Sequence, residues 1–304
     1  MAANDALIKV ELPGLKPLRS GKVRDIYDLG DNYLFVTTDR ISAFDVVMKQ
    51  GIPRKGEMLN RISAFWFDYL EEVFPNHLIT ADFDKYPDSL KKYEVLRDRS
   101  MLVKKVERVD VECIVRGFIT GSAWKQYKKL EEVDGRKLLY GNYIPASMVE
   151  SDKFPEPIFT PSTKEENGHD INISLDKYYE LIGKSRGDEI ISGSIELYKE
   201  AYEYAFSKGI IIADTKFEFG IDNGKLILID EIFTPDSSRF WRRDKFIPGY
   251  PQVSFDKQYL RDWLKNVDWH GEGEPPDLPE EVIENTAAKY REAFTTLTGM
   301  DIDD

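Results

Sequence analysis

The chain has 304 residues, of which 41% are hydrophobic and 32% charged, a composition typical of a folded protein rather than a disordered or fibrous one. Its formal net charge of −13 argues against a general nucleic-acid binder, because such proteins need a broad basic face. The single cysteine, Cys113, excludes an internal disulfide and a cysteine metal cluster, so we expect a cytoplasmic setting.

The first hundred residues predict a mixed lobe. Residues 33–37 form a β-rich run, and glycine and proline mark a loop at residues 51–56. From residue 57 to residue 74, apolar side chains recur every three or four positions, which predicts a helix with one buried face.

The middle of the chain is harder to interpret. Residues 101–106 and 111–116 predict two strands joined by the polar residues 107–110, which indicates a hairpin or a close relative of one. From residue 131 to residue 170 the periodicity fades and Gly, Pro, Asn and charge dominate. We therefore expect long loops over a cleft in this stretch.

The last third alternates helices and strands. Residues 188–208 predict a helix that ends before Gly209. Strands at 210–219 and 225–233 flank Asp222-Asn223-Gly224, a strong hairpin signal. Helices at about 255–265 and 279–297 close the chain. Antiparallel pairs with segregated helices favour an α+β fold over a doubly wound sheet.

Charged side chains alternate along the strand at 213–219. Because strand side chains alternate between two faces, Asp214, Lys216 and Glu218 share one face while Phe217 and Phe219 share the other. The phenylalanines then anchor the core and leave an acid, a base and an acid in a row beside a cleft. The alternative is an ordinary solvated face.

The following strand adds two carboxylates to this row. Carboxylates on paired strands suit Mg²⁺, which takes few protein oxygens and shares the rest with phosphate and water. A two-residue turn at Asn223-Gly224 would put Glu231 opposite Lys216, whereas a three-residue loop with a bulge would put Asp230 there. The residues alone leave both registers open.

Three further segments suggest anion binding. Arg116 and Arg239 each lie among glycines, hydroxyls or aromatics, and a planar guanidinium suits phosphate or carboxylate. Either arginine alone is equally consistent with a structural ion pair. The run from Ser20 to Tyr27 contains a glycine and a lysine able to wrap phosphates, although the chain has neither a P-loop nor a dinucleotide-binding motif.

Five segments, in this order, resemble the SAICAR synthetase (phosphoribosylaminoimidazole-succinocarboxamide synthase) family, and the resemblance covers essentially the whole chain. The segments are GKVRDIY (21–27), TDRISAFD (38–45), ECIVRGFITGSAW (112–124), IADTKFEFG (212–220) and DEIFTPDSSRFW (230–241). The resemblance implies a two-lobed α+β fold with a kinase-like or ATP-grasp-like antiparallel N-terminal lobe, residues 1–110, and a mixed α/β C-terminal lobe, residues 111–304. ATP is expected in the cleft between them.

The resemblance also implies the reaction. It is an ATP-dependent ligation, in purine biosynthesis, of a carboxylated aminoimidazole ribonucleotide to L-aspartate, giving the succinocarboxamide, ADP and phosphate. A carboxylate is a poor electrophile, so ATP is expected to convert it first to an acyl phosphate, with Mg²⁺ and lysine neutralising the transferring group. The implied partners are these small molecules, without nucleic acid or membrane, in a monomer or small homo-oligomer.

Carried over residue by residue, the resemblance implies the following roles. The ATP-binding residues are Lys22, Arg24, Lys104, Glu107, Val109, Glu218 and Asp230, of which Glu218 and Asp230 are the metal carboxylates. The substrate-binding residues are Glu112, Arg116, Ser122, Lys164, His169, Asp170, Ser238 and Arg239. The catalytic residues are Asp214, Lys216 and Arg239. The assignment of Asp230 favours the bulged register, and residues 39–42 are a candidate aspartate pocket. A phosphotransferase of kinase-like build and a nucleotide-binding regulator are the alternatives.

Overall fold

The computed structural model describes residues 6–163, 171–255 and 257–303. An antiparallel sheet of five strands, in the order β1-β2-β3-β7-β6, forms the N-terminal lobe, and β4 and β5 make a separate pair. The strands are β1 (Arg19–Ser20), β2 (Arg24–Asp28), β3 (Asn32–Thr37), β4 (Ser42–Ala43), β5 (Val46–Val47), β6 (Leu78–Thr80) and β7 (Ser100–Lys104). The β-run predicted at 33–37 is confirmed as β3.

Two helices belong to the same part of the chain, α1 (Lys55–Tyr69) and α2 (Asp88–Lys91). The amphipathic pattern correctly predicts α1, whose Ile62 and Trp66 are fully buried. The helix ends at Tyr69 rather than at residue 74, and the chain continues in turns. Apolar spacing marks a buried face but does not show where helical hydrogen bonding stops.

The C-terminal lobe has a six-stranded sheet, an additional hairpin and five helices among the described residues. The strands are β8 (Glu107–Arg108), β9 (Val111–Phe118), β10 (Arg136–Leu139), β11 (Asn142–Pro145), β12 (Lys153–Thr163), β13 (Ile210–Asp222), β14 (Lys225–Ile229) and β15 (Ser238–Arg242). The helices are α3 (Gly121–Tyr127), α4 (Leu175–Ile182), α5 (Lys184–Ser207), α6 (Gln258–Asn266) and α7 (Glu280–Thr298). The α+β prediction is confirmed.

Strand β13 is the centre of this second sheet. It pairs antiparallel with β9 and β15 along its first half and with β14 and β8 along its second half. Each of these four neighbours can therefore place side chains beside those of β13.

The predicted hairpin between residues 101–106 and 111–116 is wrong. Strand β7 pairs with β3 and β6 in the first sheet, whereas β9 pairs with β12 and β13 in the second. The short link between them crosses from one lobe to the other. Strand propensity cannot show which partner a strand will take.

The expectation of long loops from 131 to 170 is also wrong for its described part. The β10–β11 hairpin and the long strand β12 occupy much of it. Strand β12 contains Pro155, Pro157 and Pro161, which weaken the strand signal in the sequence. It lies at the edge of the sheet, where a residue without an N–H is tolerated.

The β13–β14 hairpin is confirmed, but its register is the simple one. Asn223 and Gly224 form a two-residue turn with φ values of 50° and 82°, as a type I′ turn requires, and Asp222 pairs with Lys225. The bulged register is therefore wrong. Asp230 lies beyond the end of β14 and has a φ of 69°, so the backbone itself turns its carboxylate out of the ladder.

The largest of three hydrophobic clusters among the described residues joins the two lobes. Phe35 of the first sheet, Trp66 of α1 and Phe217 of the second sheet belong to the same buried cluster. We propose the boundary between lobes close to residue 110, although β8 already pairs with β13. In the described ranges, no helix has both the length and the apolar character needed to span a bilayer.

Candidate active site

The charged row on β13 faces a cleft, as predicted. Phe217 and Phe219 are fully buried on the opposite face. Asp214 and Glu218 are only 7% and 6% exposed, which excludes the alternative of a solvated face. The row is a buried polar surface, and such surfaces are hydrogen-bonded or bind ligands.

At one end of the row, three strands bring Asp214 between two arginines. Asp214 lies opposite Arg116 of β9 and Arg239 of β15. Its Oδ2 accepts hydrogen bonds from Arg116 Nη1 at 3.1 Å and Arg239 Nη1 at 2.8 Å. Burial lowers the pKa of Arg116, yet Arg239 keeps 28% of its side chain exposed. One carboxylate thus positions two guanidinium groups and leaves positive charge for an anion.

The neighbouring residues frame Arg239. A Cβ on Gly121 would lie 2.9 Å from the Nη2 of Arg239, so glycine is needed for this close approach. Ser122 follows in the first turn of α3 and is exposed. Ser238 is buried instead, and its hydroxyl lies 2.7 Å from that of Thr215.

Lys216 lies in the middle of the row. Its Nζ donates to Glu112 Oε1 at 2.6 Å and lies 3.9 Å from Glu218 Oε1. Burial lowers the pKa of Lys216, but Glu112 and Glu218 more than offset this and leave the pKa raised. The ammonium is therefore charged, and 35% of the side chain stays exposed.

At the other end of the row lies a cavity of about 1050 Å³ between the lobes. Its lining includes six of the predicted residues, three from each lobe: Lys22, Arg24, Lys104, Lys216, Glu218 and Asp230. The structure thus gathers most of the predicted nucleotide-side residues around one space large enough for a small-molecule ligand.

Arg24 and Lys22 line this cavity, and each is paired with a carboxylate. The Arg24 guanidinium contacts Asp230, and its Nη2 lies 3.3 Å from Glu231 Oε1. Burial lowers the pKa of Arg24, but Asp230 and Glu231 reverse the effect and raise it. The Lys22 ammonium contacts Asp45. Arg24 therefore lies beside the acidic residues that follow β14, whereas Lys22 is held by a carboxylate of the N-terminal lobe.

Only part of the segment from Lys104 to Val109 lines the cavity. Lys104 lines the cavity and lies 3.2 Å from Asp222. Glu107 and Val109 are not among the described residues that line it, and the Val109 N–H donates to the Phe219 carbonyl at 2.9 Å. Their contact with a nucleotide remains a prediction.

Of two other predicted groups, one lies outside the described residues and the other reaches the cavity only through Ser42. Lys164, His169 and Asp170 lie outside the described residues. In the candidate aspartate pocket, Asp39 accepts the Gly56 N–H at 2.8 Å and Arg40 pairs with Asp25 at 2.8 Å. These two side chains stabilise the start of α1 and the first sheet, whereas Ser42 of the same segment lines the cavity.

The sequence did not reveal a cluster of charges at the C-terminal side of the cavity. Asp236 accepts from Lys55 at 2.8 Å and from the Tyr290 hydroxyl at 2.5 Å, and it lies 3.1 Å from Lys257. Asp236, Lys257 and Arg261 all line the cavity. Lys257 and Arg261 are four residues apart, which indicates one helix face, but no sequence signal brings that helix to the cleft.

His77 also lines the cavity, as a packing residue. Its ring lies 5.6 Å from that of Phe35 and 5.2 Å from that of Phe67. Burial lowers the pKa of His77 from 6.5 to about 3. The folded protein therefore holds this imidazole neutral.

We expect His77 to make the fold acid-sensitive. The unfolded chain binds this proton near pH 6.5 and the folded chain only near pH 3, so stability falls as the pH drops through that window. His77→Gln should reduce the pH slope of the unfolding free energy by about 1.4 kcal/mol per pH unit between pH 6 and pH 4. Urea titrations measure this slope. His270→Gln, at an exposed histidine, is the control, and equal slopes in all three proteins would contradict the assignment.

The comparisons with known proteins identify the family. The SAICAR synthetase family profile matches residues 17–277. A phosphoribosylaminoimidazole-succinocarboxamide synthase of Geobacter sulfurreducens is 54% identical over 297 residues, which is 97% of this chain and 98% of that protein. The corresponding enzyme of Thermodesulfovibrio yellowstonii is 50% identical, over 97% of this chain and 99% of its own length.

Solved structures give the same result. A SAICAR synthase from Saccharomyces cerevisiae, complexed with SAICAR, has a TM-score of 0.88 and 45% identity, with 98% of this chain and 100% of that chain covered. A SAICAR synthetase in complex with ADP has a TM-score of 0.67 at 22% identity and covers 93% of this chain and 98% of its own, which shows the common fold. The chain therefore belongs to the SAICAR synthetase family, the ligases that carry out the ATP-dependent condensation of aspartate in purine biosynthesis.

Proposed function

We propose that this chain activates the carboxylate of the aminoimidazole ribonucleotide as an acyl phosphate and transfers it to the amine of L-aspartate. ATP would occupy the cavity between the lobes, and the ribonucleotide would lie over Arg116 and Arg239. The observation that carries this proposal is that one strand, β13, serves both places. Asp214 organises the two arginines, Glu218 lines the cavity, and Lys216 lies between them.

Each residue of the row has a distinct part in this scheme. Arg239 binds an anionic group of the ribonucleotide, and Asp214 fixes its orientation through the 2.8 Å hydrogen bond. Lys216, charged and partly exposed, lies where it can neutralise a phosphoryl group passing from one side to the other. Holding anionic reactants together in this way supplies a large part of a rate enhancement.

Glu218 and Asp230 are the residues that would hold Mg²⁺. Both line the cavity, and among the described residues no group of three or more acidic, histidine or cysteine side chains is arranged around a metal position. Two carboxylates suit Mg²⁺, which completes its shell with phosphate and water. When bound, it supplies charge neutralisation at the phosphates. We therefore expect metal affinity to depend strongly on nucleotide.

A kinase-like phosphotransferase is the competing function, because the cavity lies between two lobes. The two functions differ in their requirements. A coupled assay for ADP release, with each substrate omitted in turn, should show repeated turnover only when ribonucleotide, aspartate and ATP are all present. Repeated turnover that is independent of aspartate would favour the phosphotransferase.

Arg239→Lys should raise the KM for the ribonucleotide and leave the KM for ATP nearly unchanged. The planar fork, which donates to Asp214 and is partly exposed, is replaced by a point charge. The expected penalty is about 1.5–3 kcal/mol for a charged hydrogen-bonded contact. Steady-state kinetics with each substrate varied would measure it.

The matched control is Arg242→Lys on the same strand. Arg242 pairs with Asp244 and Glu292 at the surface, so its replacement should leave both KM values unchanged. If Arg239→Lys raised the KM for ATP as much as the KM for the ribonucleotide, Arg239 would not belong to the ribonucleotide site.

A further inference from the structure

Helix α6, in the C-terminal part of the chain, contributes two basic side chains to the cavity lining. Lys257 occupies the position just before the first turn of the helix, Arg261 follows one turn later, and both line the cavity. The Lys257 side chain is 13% exposed, and Arg261 is half-buried. Neither residue belongs to the nucleotide or ribonucleotide groups described above.

The charge around these residues is unusual for so acidic a chain. Asp236 is shared by two ammonium groups, Lys55 at 2.8 Å and Lys257 at 3.1 Å, and it also accepts from the Tyr290 hydroxyl. Within the described ranges, the Arg261 guanidinium has no ion pair or hydrogen bond. A half-buried cation without a carboxylate is unfavourable unless an anionic ligand completes it.

Several other cations of the cleft are already paired with carboxylates. Arg24 contacts Asp230 and Glu231, and Lys216 donates to Glu112. Arg116 and Arg239 share Asp214 at the far end of the row. Lys257 and Arg261 belong to a different element, α6, and form a separate basic pair in the cavity lining.

We propose that Lys257 and Arg261 bind the carboxylates of L-aspartate. This inference rests on the proposed function, in which ATP and the ribonucleotide have their own cationic partners and the amino acid does not. L-Aspartate carries two carboxylates, and two cations one helical turn apart match them in number and charge. Asp236, held by Lys55 and Tyr290, fixes the position of Lys257.

The test uses Arg261→Gln and Arg261→Lys in the full chain. The control is Lys265→Gln, which removes a charge from the last turn of α6, where Lys265 is half-exposed and pairs with Asp262. The KM of each of the three substrates is measured separately. Arg261→Gln should raise the KM for aspartate about tenfold or more and change the other two less than about twofold. Arg261→Lys should recover part of the loss, and Lys265→Gln should match the wild type.

Thermal unfolding of each variant shows whether the fold is retained. A rise in the KM for ATP as large as that for aspartate would overturn the proposal and assign the pair to phosphate binding. Unchanged kinetics in Arg261→Gln would overturn it as well. Failure of the proposed function is distinguishable, because the wild type would then show repeated turnover without aspartate.

Discussion

Glu218→Gln is expected to lower kcat/KM for ATP by about a hundredfold or more, since loss of one preorganised electrostatic contact typically has an effect of that size. The carboxylate is 6% exposed and lines the cavity beside Lys216. Glutamine has nearly the same shape but lacks the charge that binds a metal. Steady-state kinetics at varied Mg²⁺–ATP would measure the loss.

The same change at Glu203, an exposed residue of α5, provides the control. Glu203→Gln should leave activity unchanged, and the unfolding temperature of Glu218→Gln should stay close to that of the wild type. Activity within about twofold of wild type in Glu218→Gln would show that the metal assignment is wrong.

Asp236→Asn is expected to lower the free energy of unfolding more than any other variant described above. Lys55 is completely buried, and its ammonium depends on Asp236 at 2.8 Å. Removal of one partner of a buried ion pair leaves an uncompensated charge and costs about 3–5 kcal/mol. The hydrogen bond from Tyr290 of α7 is weakened as well. Chemical denaturation would measure the unfolding free energy.

The control for this prediction is the double variant Lys55→Met with Asp236→Asn. It removes both charges of the buried pair, so it should be more stable than Asp236→Asn alone. A loss below about 1 kcal/mol in the single variant would contradict the buried pair.

Local periodicity explains which elements could be predicted from the sequence. The buried stripe of α1, the helix α5 and the Asn223-Gly224 turn each have a signal within a few residues. Strand β12 was missed because its three prolines oppose strand formation anywhere except at a sheet edge. The link between β7 and β9 was misjudged because pairing depends on distant partners.

Only part of the site could be predicted from the sequence. Alternation alone places Asp214, Lys216 and Glu218 on one face of β13. It does not show that Arg116 and Arg239 lie opposite Asp214 on two neighbouring strands, which is a property of the sheet order. The resemblance to the family implied a common site for these residues before the geometry was known.

The positions of the acidic residues after β14 could not be decided from the turn sequence alone. The sequence offered two registers for Asp230 and Glu231, and the observed hairpin has the simple one. Asp230 reaches Arg24 because its backbone has a positive φ of 69°. Aspartate adopts positive φ more readily than most residues, but only a small fraction of aspartates do so, and local sequence does not show which ones.

In the proposed mechanism, β13 brings a nucleotide phosphate beside an anchored carboxylate, so that the carboxylate is phosphorylated before aspartate attacks. Substrate with ¹⁸O in the imidazole carboxylate tests this claim directly. One carboxylate oxygen must leave with the phosphoryl group, so we predict one labelled oxygen in inorganic phosphate for each amide formed. Unlabelled phosphate, released at the same rate as the amide, would contradict the account.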